Sequence, residues 1–182
     1  MLSKNQQKMT NIFLLKSESI NCKDFLKFIL KEYYDIEQYN YYYGKYGKPY
    51  IDKYLFFNYS NTFSYVVLAI SLKEVGIDIE LRSRPFPNSL INHIINKDDI
   101  YDNDCLLKKW VEKESYLKYL GTGINMEIKN VYLNKKINRL FYIDNEILFN
   151  CFSECKVNRN ILYFTIDNNN HFILKKVIKF KN

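Results

Sequence analysis

The 182-residue sequence predicts an α+β fold of two pseudo-symmetric halves, each a helix packed on an antiparallel sheet. Two observations carry that prediction. The order of elements reads strand, helix, strands, and then helix, strands again. The hydrophobic period switches from about two to about 3.6 and back at each helix. The halves are residues 1–75 and 76–182, with no linker of any length between them. No internal repeat is visible, so the duplication rests on element order alone.

The elements follow in sequence. "TNIFLLKS" (10–17) is a first strand. "NCKDFLKFILKEYY" (21–34) carries a helical stripe of Phe25, Phe28, Ile29 and Tyr33. "GKYGKPY" (44–50) is a turn cluster punctuated by Gly and Pro. Three β-branched and aromatic runs come next: "YLFFNYS", "FSYVVLAIS" and "EVGIDIE". "SRPFPNS" breaks the chain, and residues 90–100 read as a short helix and a loop. "DCLLKKWVEKESYLKYLG" (104–121) is a long helix, with Asp104 to cap it and Gly121 and Gly123 to end it. "EIKNVYL", "EILFNCFSECKV", "NILYFTID" and "HFILKKVIKF" read as the closing strands.

Composition narrows the function classes. Apolar residues make up 47% of the chain, which is enough for a globular core. No apolar run approaches the ~18 residues of a membrane helix, and the start lacks a secretory apolar segment. A cytoplasmic protein with no membrane role is the expectation. The net charge of +7 favours an anionic partner without choosing one. Cys151, Cys155 and His171 could be read as a metal site, but the four cysteines lack paired CxxC spacing and read better as free thiols. His93 and His171 stand apart from any nucleophile signature, which removes Ser-His-Asp and Cys-His catalysis.

"GIDIE" raises a question, because Asp78 and Glu80 stand two apart on one strand face and repel each other. Gly76 leaves space beside them, while Val75, Ile77 and Ile79 face the core. Convergent carboxylates suit a hard divalent cation. The alternative is a solvated strand end with two surface charges. In the long helix, Trp110, Lys113, Glu114, Leu117 and Lys118 recur at helical spacing. A third carboxylate with two lysines suits a metal-bound polyphosphate, and the alternative is an ordinary Glu-to-Lys surface pair.

Together, "GIDIE" and "WVEKESYLK", some thirty residues apart, resemble the paired motifs of 4′-phosphopantetheinyl transferases. "YGKPY", "FNYS" and "LGTGI" resemble further family elements, so the likeness runs from about residue 45 to 124. The GKP element and the N-terminal half resemble the surfactin-synthetase-activating type, a pseudo-dimer on one chain and hence a monomer. The resemblance implies transfer of 4′-phosphopantetheine from coenzyme A to a carrier-protein serine, releasing 3′,5′-ADP. It implies that Asp78, Glu80 and Glu114 hold Mg²⁺, with Mn²⁺ served by the same oxygens. It also implies that Lys113 neutralises phosphate and that Lys118 stabilises or protonates the leaving phosphate. Lys48, Pro49, Ser60 and Asn61 fall on the coenzyme A side, in the N-terminal half. The basic surface would then attract an acidic acyl or peptidyl carrier protein and coenzyme A.

Three positions depart from the family pattern. Asn61 stands where the family has His after its serine. The first half is short, with Lys16, Lys23, Lys27 and Lys31 but no Arg. Asp99, with Asp98 beside it, is the nearest match to a carboxylate that assists catalysis. These departures admit an alternative, a degenerate member that binds coenzyme A or a carrier protein without turnover. A nucleic-acid binder that uses the Tyr- and Lys-rich "YNYYYGKYGK" explains neither carboxylate motif, so no nucleic-acid partner is expected.

Overall fold

Two sheets lie face to face, and a helix covers the outer face of each. The computed structural model describes residues 2–19, 21–86, 88–94, 102–123, 128–134 and 136–180. A helical turn, α1 (Lys4–Gln7), precedes β1 (Asn11–Lys16) and α2 (Cys22–Tyr34). Strands β2 (Tyr41–Tyr43) and β3 (Pro49–Ile51) form a small hairpin. Then come β4 (Phe56–Thr62), β5 (Tyr65–Ser71) and β6 (Val75–Leu81). Helices α3 (Asn88–Ile94) and α4 (Asn103–Leu120) follow, then a 3₁₀ turn over Ile128–Asn130. Strands β7 (Asn138–Ile143), β8 (Ile147–Ser153), β9 (Asn160–Ile166) and β10 (Phe172–Lys179) complete the chain.

The first sheet has the order β10-β9-β1-β5-β4 and the second β6-β8-β7. Alternation along each strand sorts side chains between layers. Phe13, Leu15, Val66, Leu68 and Ile70 pack on α2 through Phe25, Leu26, Ile29 and Leu30. Ile12, Leu14, Val67 and Ala69 turn the other way and meet Ile77, Ile79, Phe149 and Cys151 of the second sheet. Leu148 and Phe152 face α4, against Val111 and Leu117. The α+β class therefore stands, in four layers: helix, sheet, sheet, helix. One pairing departs from purely antiparallel sheets, because β1 and β9 run parallel. Strands β9 and β10 sit in the first sheet, so a boundary at 75/76 divides the chain by sequence and not by sheet.

Several expectations need correction. Asp102, not Asp104, caps α4; it holds an extended backbone and accepts from the Cys105 N–H at 2.7 Å. Asp104 lies in the first turn and pairs with Arg82 at 2.7 Å. Residues 128–133 do not form a strand. Ile128 and Val131, three apart, both pack beside Tyr116 and Leu117, which suits the 3₁₀ spacing. Strand β7 was not expected, because it is an edge strand that buries only Leu140 and gives a weak alternating signal. Among the described residues, no helix is long and apolar enough to cross a membrane.

Candidate functional site

The site forms where the facing edges of the two sheets, β4 and β6, meet beneath α4. Asn58 and Ser60, two apart on β4, both point at β6. Asn58 Oδ1 accepts the Ile77 N–H at 2.9 Å, so a side chain supplies the bond that a neighbouring strand would give this edge. Ser60 Oγ donates to Asp78 Oδ1 at 2.8 Å. Strand alternation turns Asn61 away from this cluster, where its Oδ1 accepts from the Cys22 thiol at 3.7 Å. Asn61 lines a cavity of about 510 Å³ with Cys22, Lys23 and Phe63.

Helix α4 seats directly on β6 at Gly76. A Cβ there would lie 2.1 Å from Tyr119 N and 2.2 Å from Ser115 O, both backbone atoms of the helix. This approach brings Glu114 and Lys118 over Asp78. Lys118 Nζ donates to Asp78 Oδ1 at 2.6 Å and to Ser60 Oγ at 2.9 Å. Asp78 is only 6% exposed, so this is a buried carboxylate and not a solvated strand end. Its strand partner Glu80 pairs with Arg84, whose guanidinium also stacks on Phe86 and Trp110. The mutual repulsion of Asp78 and Glu80 is thus offset by a separate cation on each.

Glu114 is 6% exposed, and its Oε1 is buried with no hydrogen-bond partner. Burial pushes its carboxyl up to about 7, and the negative charge of Asp78 adds to the effect. Lys118 and Arg84 pull the other way. Helix α4 is held on the second sheet by Asn150, which pairs with Asp78 in register and donates from Nδ2 to Ser115 Oγ at 2.7 Å.

The remaining expected residues are distributed differently. Lys113 Nζ donates to the carbonyls of Ile94 and Lys129, each at 3.2 Å. Lys48 is buried and bonds Glu74, Val75 and Tyr119. Lys48 and Pro49 line a cleft of about 200 Å³ shared with Asn58, Tyr59 and Lys118. Asp98 and Asp99 lie outside the described residues. The structure thus brings Ser60, Asp78, Glu114 and Lys118 together. Among the described residues, no three His, Cys, Asp or Glu side chains form a ready metal-ligating group, and all four cysteines are free.

Sequence reasoning missed Asn58, Glu74, Arg84 and Asn150. Only Asn58 left a signal: it stands two residues before Ser60 and so shares its strand face. Asp78, Glu80 and Glu114 have the donor chemistry of a hard divalent cation site, since all offer oxygen and one buried Glu114 carboxylate oxygen has no partner. Asp78 and Glu80 are paired with Lys118 and Arg84, however, and the three do not form a ready ligating group.

Residues 74–162 match the model of the 4′-phosphopantetheinyl transferase superfamily, a stretch that holds β6, α4 and their supporting strands. The 4′-phosphopantetheinyl transferase gsp of Aneurinibacillus migulanus is 31% identical over 100 residues, covering 50% of this chain and 42% of that protein. A 4′-phosphopantetheinyl transferase of Bacillus subtilis is 28% identical over 102 residues, covering 50% of this chain and 46% of that protein. Each match therefore spans less than half of the relative's length.

Proposed function

We propose that this chain, whose residues 74–162 match the 4′-phosphopantetheinyl transferase superfamily, is an active transferase of the surfactin-synthetase-activating type. It moves 4′-phosphopantetheine from coenzyme A to a serine of an acyl or peptidyl carrier protein. The observation that carries this reading is the meeting of buried Ser60, Asp78 and Glu114 with the half-buried Lys118, from three separate elements, in one cluster.

The carrier serine oxygen bonds to the phosphorus next to the pantetheine arm. The bond from that phosphorus to the bridging oxygen breaks, 3′,5′-ADP leaves, and the serine proton passes to a base. Attack at phosphorus needs positioning and charge neutralisation more than covalent catalysis. Asp78, Glu80 and Glu114 would hold Mg²⁺, which supplies charge neutralisation at the pyrophosphate. Lys118, fixed by Asp78 and Ser60, faces the leaving phosphate with a positioned ammonium. Lys113 would reach a phosphate only by releasing the carbonyls of Ile94 and Lys129. Pro49 and Ser60 line the coenzyme A side. Asn61, where the family has His, offers an amide donor in place of a charge. Asp99 is proposed as a helper to the base. The protein is proposed to act as a cytoplasmic monomer on an acidic carrier.

A second reading, a binder of coenzyme A or a carrier without turnover, is favoured by one observation. Asp78 and Glu80 already carry cationic partners in Lys118 and Arg84. Intact-protein mass spectrometry of a panel of apo carrier proteins, incubated with this protein, coenzyme A and Mg²⁺, separates the two. A gain of one phosphopantetheine that is lost with EDTA supports transfer. No gain across the panel, with coenzyme A binding retained, supports the binder.

A further inference from the structure

We propose that Lys48 is a positioning residue: its buried ammonium brackets the start of β6 to the last turn of α4, and so holds Lys118 on Asp78. The geometry accounts for every proton of the ammonium, which has three donors and no acceptor. Nζ donates to Glu74 Oε2 at 2.5 Å, to the Val75 carbonyl at 3.0 Å and to the Tyr119 carbonyl at 3.1 Å. Val75 precedes Gly76, where the helix seats on the strand. Tyr119 follows Lys118. Its carbonyl is one of the last four of α4 and has no acceptor role within the helix, so a cation there completes the helix end.

The hairpin between β2 and β3 presents this lysine. Gly44 N–H bonds the Lys48 carbonyl at 2.8 Å, and Gly47 closes the turn at φ +82°. Tyr50 OH donates to the second Glu74 oxygen at 3.4 Å, so the carboxylate is held from two sides. Lys48 is 7% exposed. Burial lowers the ammonium's pKa, and Glu74 opposes that shift. To bind a coenzyme A phosphate, the ammonium would have to leave three acceptors at once and strand Glu74. The bracket therefore assigns Lys48 to geometry, not to phosphate binding. The inference deepens the proposed transferase reading and rests on it for the reaction, though not for the contacts.

The test begins with the wild-type protein and acetic anhydride labelling read by mass spectrometry, without coenzyme A. Lys48 should be acetylated at least tenfold more slowly than the exposed Lys45 and Lys53. Equal rates would overturn the bracket. The second arm uses Lys48→Met and Lys48→Met/Glu74→Gln, the latter removing the stranded carboxylate. Steady-state transfer should show kcat reduced tenfold or more, with KM for coenzyme A within about twofold of wild type. A tenfold rise in KM at unchanged kcat would assign the ammonium to coenzyme A and overturn the proposal, as would no change in either. The acetylation rate of Lys118 should rise in both variants, and an unchanged rate would count against the bracket. If wild-type protein transfers nothing, the transferase reading fails by itself and the two labelling arms still decide Lys48. They decide it also if neither variant folds, because wild-type labelling needs no variant.

Discussion

At the scale of the residue, Glu114 holds the most informative charge. Its carboxyl lies near 7 when folded, above the ordinary value of 4.5. Between those two values the folded chain keeps a proton that the unfolded chain has lost. Stability therefore falls as pH rises through this window, by roughly 3 kcal/mol in full. Glu114→Gln should abolish transfer yet raise the urea midpoint at pH 8.5, measured in EDTA, and leave it nearly unchanged at pH 4. A lower midpoint at both pH values would show that the carboxylate is better stabilised than its surroundings imply. Loss of the Asp78 carboxylate is expected to weaken the fold instead of strengthening it. Asp78→Ala removes the acceptor of two donors, Ser60 and Lys118, so it should abolish transfer and destabilise the fold by about 1–3 kcal/mol. Urea unfolding beside the carrier mass assay checks both effects, and full transfer activity would remove Asp78 from the site.

At the scale of the element, the contact of α4 with β6 decides whether the charged residues meet. Gly76 permits a backbone-to-backbone approach that no side chain allows. Gly76→Ala should lift the helix or strain the strand and lower stability by about 1–3 kcal/mol. Amide hydrogen exchange should quicken along Ser115–Gly121, the turns that carry Lys118. Exchange unchanged from wild type would mean that the helix is held elsewhere. Glu80, Arg84, Phe86 and Trp110 form a second fastening at the far end of β6, where the guanidinium joins a carboxylate to two rings.

At the scale of the molecule, the chain returns to where it began. Strand β9 pairs parallel with β1, and Phe164 and Phe172 complete the core over α2. A fragment of residues 1–75 would expose one edge of β1 and lose those rings, so it should remain largely unfolded by circular dichroism. A cooperative melt of that fragment would show that the first half folds alone. The two sheets are also joined by polar groups: Thr10 Oγ1 donates to Ser71 Oγ at 2.9 Å and meets Ser153 Oγ at 2.6 Å, a buried hydroxyl cluster between the layers.

Much of this was legible from local pattern. Period two placed Val75, Ile77 and Ile79 in the core and Asp78 opposite them; period 3.6 put Glu114 and Lys118 on one helix stripe. The irregular backbone around Ile128, and the edge strand β7, escaped because packing and not local preference sets them. The sequence by itself determined which residues share a face and that β6 and α4 carry paired carboxylates and lysines. Tertiary structure alone decided that Ser60 and Asn58 reach β6 from the other sheet, that Arg84 partners Glu80, and that Lys48 is buried. Each of those outcomes depends on contact between separate elements, and residue order does not encode the distance between sheet edges.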